Sequence, residues 1–110
     1  MLPTNSQARK DIPIYSGFVR FFPDSMAAVA QLSQIATLKH TPGATIAVWN
    51  KAKSTDELDC LMRHMVDDVN EPYDRDNVLH ATKVAWRGMA NLQRLADSGV
   101  DIFAALDEAT

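Results

Sequence analysis

The feature that most constrains the fold of this chain is a set of three helix-length stretches separated by proline-containing breaks. The first stretch starts at Pro23 and ends before the TPG sequence at 41–43, and the second ends at the NEP sequence at 70–72. Proline lacks the backbone N–H and clashes with the preceding helical turn, so it marks where a helix begins or ends. Within each stretch the apolar residues recur at spacings of three and four, which predicts amphipathic α-helices. These residues are Met26, Val29, Ala30, Leu32, Ile35 and Ala36, then Leu61, Met62, Met65 and Val66, then Val78, Ala81, Ala85, Met89 and Leu92.

Capping signals set the boundaries of the second and third helices. Ser54 or Thr55 is a candidate N-cap, and the spacing from Ser54 to Glu57 is that of a capping box. The third helix is expected to start at Asp76 or Asn77, whose side chains can accept hydrogen bonds from the first turn. The predicted helices therefore span about 24–40, 54–69 and 77–96, and residues 102–109 are expected to form a fourth short helix or a frayed tail.

The N-terminal segment differs in character from the helices. Residues 1–11 are polar without a period and are expected to be flexible, whereas residues 12–23, IPIYSGFVRFFP, are apolar and aromatic. We interpret the second segment as an extended arm that packs on the core. The predicted fold is all-α: a small three- to four-helix bundle with an extended N-terminal arm, formed by a single domain at 12–110. Short helices and an aromatic arm expose more apolar surface than a monomer leaves wet, so a homo-oligomer that associates through the arm is expected.

Composition and charge exclude several classes of function. With 11 basic and 14 acidic residues the formal charge is −3, so the chain lacks the positive field that holds nucleic acid. Cys60 is the only cysteine, which excludes an intramolecular disulfide and a thiolate metal cage. No apolar run approaches the ~18 residues that cross a bilayer, and the N-terminus lacks the apolar core of a signal peptide. We therefore expect a cytoplasmic protein without membrane or nucleic-acid partners.

Polar residues form rows along the second and third helices, because residues three or four apart share a helix face. The row on the third helix is cationic or hydrogen bonding and contains no acidic residue. An anion is expected opposite this row, either from the acidic residues of the second helix or from the phosphates of a ligand. The alternative is a pair of solvated faces with weak ion pairs. The rows are Asp59 with Arg63 and Asp67, and Glu57 with His64 and Asp68, on the second helix, and His80, Lys83, Arg87, Asn91 and Arg94 on the third.

Single residues of two types leave alternatives open. His64 and His80 are either metal ligands or hydrogen-bonded structural residues. Trp49 lies in a connection beside Lys51 and Lys53, and it is either a packed residue or a platform for a purine. No glycine-rich phosphate loop, zinc-helix signature or Ser-His-Asp arrangement is present in the sequence, which excludes hydrolysis of the P-loop type.

Three stretches together resemble the dATP/dGTP diphosphohydrolase N-terminal-domain family of bacteriophages and bacteria: FFPDSMAAVAQLSQIATLKHTPG, KSTDELDCLMRHMVDD and DRDNVLHATKVAWRGMANLQ. Arg63-His64, the acidic turn at 74–76, His80, and Lys83 with Trp86-Arg87 fall in the order of the family. The resemblance covers residues 9–95. The family is similar to the MazG-like all-α nucleotide pyrophosphohydrolases, which cleave a nucleoside triphosphate to the monophosphate and pyrophosphate using Mg²⁺ held by acidic residues on two helices.

The resemblance implies metal-dependent hydrolysis of purine (deoxy)nucleoside triphosphates, with Mg²⁺ or Mn²⁺ as the cofactor. Such enzymes usually assemble as dimers or tetramers. The implied metal ligands are Asp56, Glu57, Asp59 and Asp76, the implied catalytic residues are Asp59, His64 and His80, and the implied nucleotide-binding residues are Lys39, His40, Trp49, Lys53, Arg63, Lys83 and Arg87.

The chain departs from the acidic motif of the MazG type. The DELD sequence at 56–59 matches only in part, and HATK at 80–83 has basic residues where the motif has acidic ones. A chain that kept the pocket and lost the metal would bind nucleotides without hydrolysing them, for example as a phage protein that sequesters a nucleotide signal. A helical interaction protein with no small ligand is the third alternative.

Overall fold

A computed structural model of the chain describes residues 1–53 and 55–103. The secondary structure is helical: α1 (Ser6–Lys10), a π-helical turn (Tyr15–Val19), α2 (Pro23–His40), α3 (Glu57–Asn70) and α4 (His80–Asp97). Within these residues the only β-type pairing is an isolated antiparallel bridge between Tyr73 and Leu79. The prediction of an all-α fold is confirmed. No helix in the described part of the chain has both the length and the apolar character needed to cross a membrane.

Helix α4 is the centre of the bundle, because both α3 and α2 pack on it. Gly88 lies at the contact with α3, where a Cβ would be 3.7 Å from Leu61 Cδ1, an ordinary contact distance. On the α2 side, the indole N–H of Trp86 donates to Ser33 Oγ at 2.8 Å. Trp49 packs against Trp86 with ring centroids 5.4 Å apart. These contacts join all three long helices and the connection that carries Trp49.

The connection after α2 is anchored by a buried threonine. Thr37 Oγ1 donates to the carbonyl oxygen of Ser33 at 2.8 Å and accepts from the backbone N–H of Val48 at 2.9 Å. The same hydroxyl thereby gives the loop amide of Val48 a partner and ties the loop to the helix. This anchor places Trp49, the next residue, against α4.

Helix α3 begins later than its capping signals predict. Its first residue is Glu57, and its N-cap is Asp56, which makes no side-chain capping bond. Ser54, and with it the predicted capping box, lies outside the described residues. The side chain of Glu57 instead turns inward, where it is 2% exposed.

Helix α4 also begins later, at His80, so the prediction of an N-cap at Asp76 or Asn77 is wrong. The Oδ1 of Asp76 accepts from the backbone N–H of Val78 at 3.1 Å, and Asn77 has a φ of +67°. Both residues therefore form the turn before the helix, which is a common use of short polar side chains that tolerate the left-handed region.

The segment before α2 is helical rather than extended, so the predicted extended arm is wrong. Residues Tyr15–Val19 form a π-helical turn, and the backbone N–H of Gly17 donates to the carbonyl oxygen of Pro13 at 2.7 Å. Glycine suits this position because a Cβ would lie 3.0 Å from Pro13 Cγ. Tyr15 and Phe21 are more than half exposed, so the aromatic residues are not packed away in a core.

The remaining predictions concern residues 1–11 and 102–109. Residues Ser6–Lys10, within the segment predicted to be flexible, form α1, whose N-cap Asn5 accepts from the backbone N–H of Ala8 at 3.0 Å. Of the predicted fourth helix at 102–109, only Ile102 and Phe103 are described, and both lie in a turn. Residues 104–109 lie outside the described residues.

Little of the apolar surface is enclosed by the three long helices. Among the described residues, Ala90 is the only hydrophobic residue that is buried, whereas many large apolar side chains remain exposed. On α3 alone the exposed apolar side chains are Leu58, Met62, Met65, Val66 and Val69.

Candidate functional site

Two histidines from facing helices meet between α3 and α4. Nδ1 of His64 lies 2.9 Å from Nδ1 of His80, the first residue of α4, and the ring centroids are 5.2 Å apart. A carboxylate oxygen of Asp74 lies 4.0 Å from the same nitrogen of His64. One ligand-type atom from each of the three residues lies within 4.8 Å of the others. Because His80 is buried while His64 and Asp74 are partly exposed, the cluster sits where the helix interface meets solvent.

The turn between α3 and α4 fixes the position of Asp74. Its backbone N–H donates to the carbonyl oxygen of Val78, and its carbonyl oxygen accepts from the N–H of Asn77. The backbone N–H of His80 closes the same turn by donating to the carbonyl oxygen of Pro72 at 2.9 Å. Three backbone hydrogen bonds thus hold a carboxylate close to both imidazoles.

Lys83, one turn after His80, joins the cluster from α4. Its ammonium donates to Asp74 Oδ2 and to Asp76 Oδ2, both at 2.7 Å. The hydrogen bond from Lys83, followed by one from the backbone N–H of Arg75, lowers the pKa of Asp74 to about 2. Burial by itself lowers the pKa of Lys83, but its bonds to the two carboxylates raise it overall. Asp74 and Lys83 are therefore both charged at neutral pH.

The pKa of His64, unlike those of Asp74 and Lys83, is shifted in the direction that favours the neutral form. Burial is the main reason that its pKa lies below the ordinary histidine value, and the positive charge of Lys83 adds to the effect. His64 is therefore mainly neutral at pH 7, the form in which an imidazole nitrogen offers a lone pair.

A second polar cluster lies further along the same helix pair. The buried carboxylate of Glu57 accepts from Arg87 Nη1 at 2.8 Å and from Arg94 Nε at 3.1 Å. Part of the cationic row of α4 thus faces an acidic residue of α3, which is one of the two alternatives that the sequence left open. The buried carboxylate is compensated by two guanidinium groups, as the cost of burying a charge requires.

The four acidic residues predicted to hold Mg²⁺ do not converge. Glu57 is bound to its two arginines, Asp76 to Lys83, and Asp56 to Arg63 at 3.2 Å, while Asp59 is exposed. In the described part of the chain, the one group of three or more His, Cys, Asp or Glu residues close enough to share an ion is His64, Asp74 and His80. Mg²⁺ prefers a near-octahedral set of oxygen ligands. The residues present therefore do not fit a Mg²⁺ site built from these four carboxylates.

Four of the residues predicted to bind the nucleotide lie in two places. Lys53 Nζ lies 3.4 Å from His40 Nδ1, and Lys39 is exposed near the same end of α2. Trp49 packs on Trp86, with Lys51 Nζ 4.9 Å and the guanidinium carbon of Arg94 5.4 Å from its ring centroid. Two cations already contact the Trp49 ring, so a purine would have to displace one of them to stack there.

Asp74 is the one member of the histidine cluster that was not predicted as a site residue. The signal was present, because the acidic turn at 74–76 lies directly between His64 and His80 in the chain. A short connection between two antiparallel helices brings its own side chains beside those of the adjacent helix ends.

Comparison of the chain with protein-family models, with curated proteins and with solved structures gives no match. The family resemblance drawn from the sequence motifs therefore stays a prediction.

Proposed function

We propose that this chain binds purine (deoxy)nucleoside triphosphates at the polar edge of the α3–α4 pair and hydrolyses them to the monophosphate and pyrophosphate in a metal-dependent reaction. The observation that carries the proposal is the meeting of His64, His80 and Lys83 around the carboxylate of Asp74. Such a site combines nitrogen ligands for a metal ion with a cation for phosphate. The family resemblance supplies the class of substrate.

Lys83 and Arg63 are the proposed phosphate-binding groups. The Lys83 ammonium pairs with both Asp74 and Asp76. It can therefore keep its hydrogen bond to one carboxylate while another of its N–H groups donates to a phosphate oxygen. Arg63 is largely exposed and pairs with Asp56 at 3.2 Å, an interaction that water screens and that a polyphosphate can replace. Arg87, the third predicted phosphate ligand, holds the buried Glu57 and contributes in this proposal to the shape of the site.

The reaction needs an attacking water and relief of the charge that develops on the phosphate chain. A divalent ion, when bound, would lower the pKa of a water and polarise a phosphorus–oxygen bond. His64 and His80 would hold that ion through their Nδ1 atoms, the proton of the attacking water would pass to solvent, and Lys83 can stabilise the departing pyrophosphate. The four acidic residues first expected to hold Mg²⁺ take no part in this reaction. Three of them are bound to cations, and the fourth, Asp59, is exposed and does not belong to the histidine cluster.

The test is a turnover panel with dATP, dGTP, dCTP and dTTP, each with Mg²⁺ and with Mn²⁺, read out as pyrophosphate. We expect release from the purine nucleotides and at least tenfold less from the pyrimidines. Arg63→Ala should weaken dGTP binding in a calorimetric titration by about tenfold, equivalent to ~1.4 kcal/mol. Arg75→Ala, which removes an exposed arginine from the neighbouring turn, is the matched control. Equal binding by both variants and wild type would remove Arg63 from the site.

A second function, nucleotide binding without hydrolysis, is favoured by one observation. Lys83 pairs with Asp74, the carboxylate of the histidine cluster, and with Asp76, which lowers the capacity of both to attract a metal ion. A rise in melting temperature with dGTP, without release of pyrophosphate under any metal condition, would establish this function in place of the first.

The exposed apolar surface supports the further proposal of a homo-oligomer. Among the described residues, large apolar side chains such as Tyr15, 70% exposed, and Val69, 84% exposed, face solvent, and apolar patches of this kind mark interaction surfaces. The exposed side chains include aromatic residues before α2 and the apolar side of α3, so we propose that either surface can take part in association.

A further inference from the structure

The histidine cluster has a geometry that goes beyond the nucleotide chemistry proposed above. Nδ1 of His64 and Nδ1 of His80 are 2.9 Å apart, and Asp74 Oδ2 is 4.0 Å from the first of them. Metal–nitrogen bonds of about 2.0–2.1 Å put neighbouring ligand atoms about 2.9 Å apart in an octahedral site and about 3.4 Å apart in a tetrahedral one. The two imidazole nitrogens already have the first separation. Asp74 has to approach by about 1 Å, which rotation of its carboxylate can supply.

We propose that His64, His80 and Asp74 form a binding site for one transition-metal ion of the Mn²⁺, Fe²⁺, Co²⁺ or Zn²⁺ class, rather than for Mg²⁺. Two imidazoles and one carboxylate are a ligand set of that class, which leaves further positions for water or a ligand, whereas Mg²⁺ prefers oxygen throughout. This inference does not depend on hydrolysis of nucleotides, because it concerns the ion alone.

Backbone hydrogen bonds hold the side chains of the cluster in position, as the groups around metal ligands usually do. Asp74 Oδ1 accepts from the backbone N–H of Arg75 at 2.7 Å, so one carboxylate oxygen is held while the other faces the histidines. The backbone bonds of the turn fix Asp74 and His80 relative to each other without any ion present. Ligands held in this way lose little entropy on binding, which favours affinity.

Lys83 is a group that opposes the ion. Its ammonium lies 2.7 Å from Asp74 Oδ2, the oxygen that faces the histidines, so it competes with a metal ion for that atom. Asp76 is a second acceptor at 2.7 Å, so the Lys83 ammonium can keep this hydrogen bond when a metal ion takes Asp74 Oδ2. Removing the ammonium should therefore strengthen metal binding. A histidine pair that serves only as a structural hydrogen bond would show no such effect.

Titration of the metal-free protein with Co²⁺, followed by visible absorption and by metal analysis after dialysis, tests the site. We expect one Co²⁺ per chain for wild type and for His40→Gln, since His40 is the one histidine outside the cluster. His64→Gln and Asp74→Asn should each lose at least tenfold in affinity, and Lys83→Met should gain severalfold. Millimolar Mg²⁺ should not displace the ion.

Three results would overturn the inference: wild type that binds no Co²⁺ at a tenfold molar excess, His64→Gln that binds as wild type does, or Mg²⁺ that displaces Co²⁺ at equal concentration. Circular dichroism of each variant shows whether it is folded. If His64→Gln does not fold, Asp74→Asn decides the question, because Asp74 lies in the turn and not in the helix interface. A protein that binds Co²⁺ at this site but releases no pyrophosphate from dGTP would keep this inference and overturn the catalytic proposal.

Discussion

At the scale of single residues, the polar groups of this chain divide into those that hold the fold and those that are accessible to a ligand. Glu57 was predicted as a metal ligand, yet its carboxylate is buried and bound by two arginines. His64 and His80 were predicted as catalytic, and they meet beside Asp74. The sequence alone does not separate these cases, because spacing on one helix shows which residues share a face but not what lies opposite.

Removing the charge of Glu57 should destabilise the fold. Glu57→Gln would leave Arg87 and Arg94 facing a neutral amide, and breaking a buried ion pair usually costs several kcal/mol. Because both guanidinium groups are about a quarter exposed, we expect a smaller loss of about 1–3 kcal/mol in the free energy of unfolding, measured in urea. Asp68→Asn, at an exposed position of the same helix, should change stability by less than ~0.5 kcal/mol. Equal stability of the two variants would mean that the Glu57 cluster does not hold α3 to α4.

At the scale of elements, the three long helices follow from the sequence, while their starts and the arm do not. Proline breaks and the apolar period predict α2, α3 and α4 to within a few residues. The predicted cap at Asp76 or Asn77 fails because these side chains build a turn, as Asn77 with its φ of +67° shows. The arm was expected to be extended because it is apolar, but composition does not distinguish a strand from a short helical turn that glycine permits.

The packing of α3 on α4 leads to a prediction at Gly88. Glycine in the middle of a helix is less favourable than alanine by about 0.5–1 kcal/mol, and an added Cβ would meet Leu61 Cδ1 at 3.7 Å, an ordinary contact distance. Gly88→Ala should therefore raise the free energy of unfolding by about 0.5–1 kcal/mol. Gly99→Ala is the control, since Gly99 has a φ of +96° that alanine adopts only with strain, and it should be destabilising. A loss of stability in Gly88→Ala would show that α3 lies closer to α4 than described.

At the scale of the whole molecule, the fold class was predictable and the degree of burial was not. An all-α bundle follows from the helical periods, but the sequence does not show that Ala90 would be the only buried hydrophobic residue among those described. Apolar residues predicted to face a core lie instead on open surface of α3. A period identifies which residues share an apolar face, whereas the partner of that face depends on chain contacts that the sequence does not specify.

This exposure predicts self-association. In light scattering at micromolar concentration, the protein should have a mass of at least twice that of the single 12.2 kDa chain. Met62→Glu, a charge on the exposed apolar side of α3, should lower that mass or precipitate the protein, whereas Arg9→Glu on α1 should leave it unchanged. A single-chain mass for wild type would contradict the homo-oligomer.

We propose that nucleotides are hydrolysed at the edge of the α3–α4 pair where His64, His80 and Lys83 meet. Phosphorus NMR of dGTP with Mn²⁺ identifies both products and compares wild type with His64→Gln and with Asp68→Asn, an exposed position of the same helix. We predict dGMP and pyrophosphate from wild type and from Asp68→Asn, and at least 100-fold slower release from folded His64→Gln. Equal rates for all three proteins, or no cleavage by wild type, would contradict the claim.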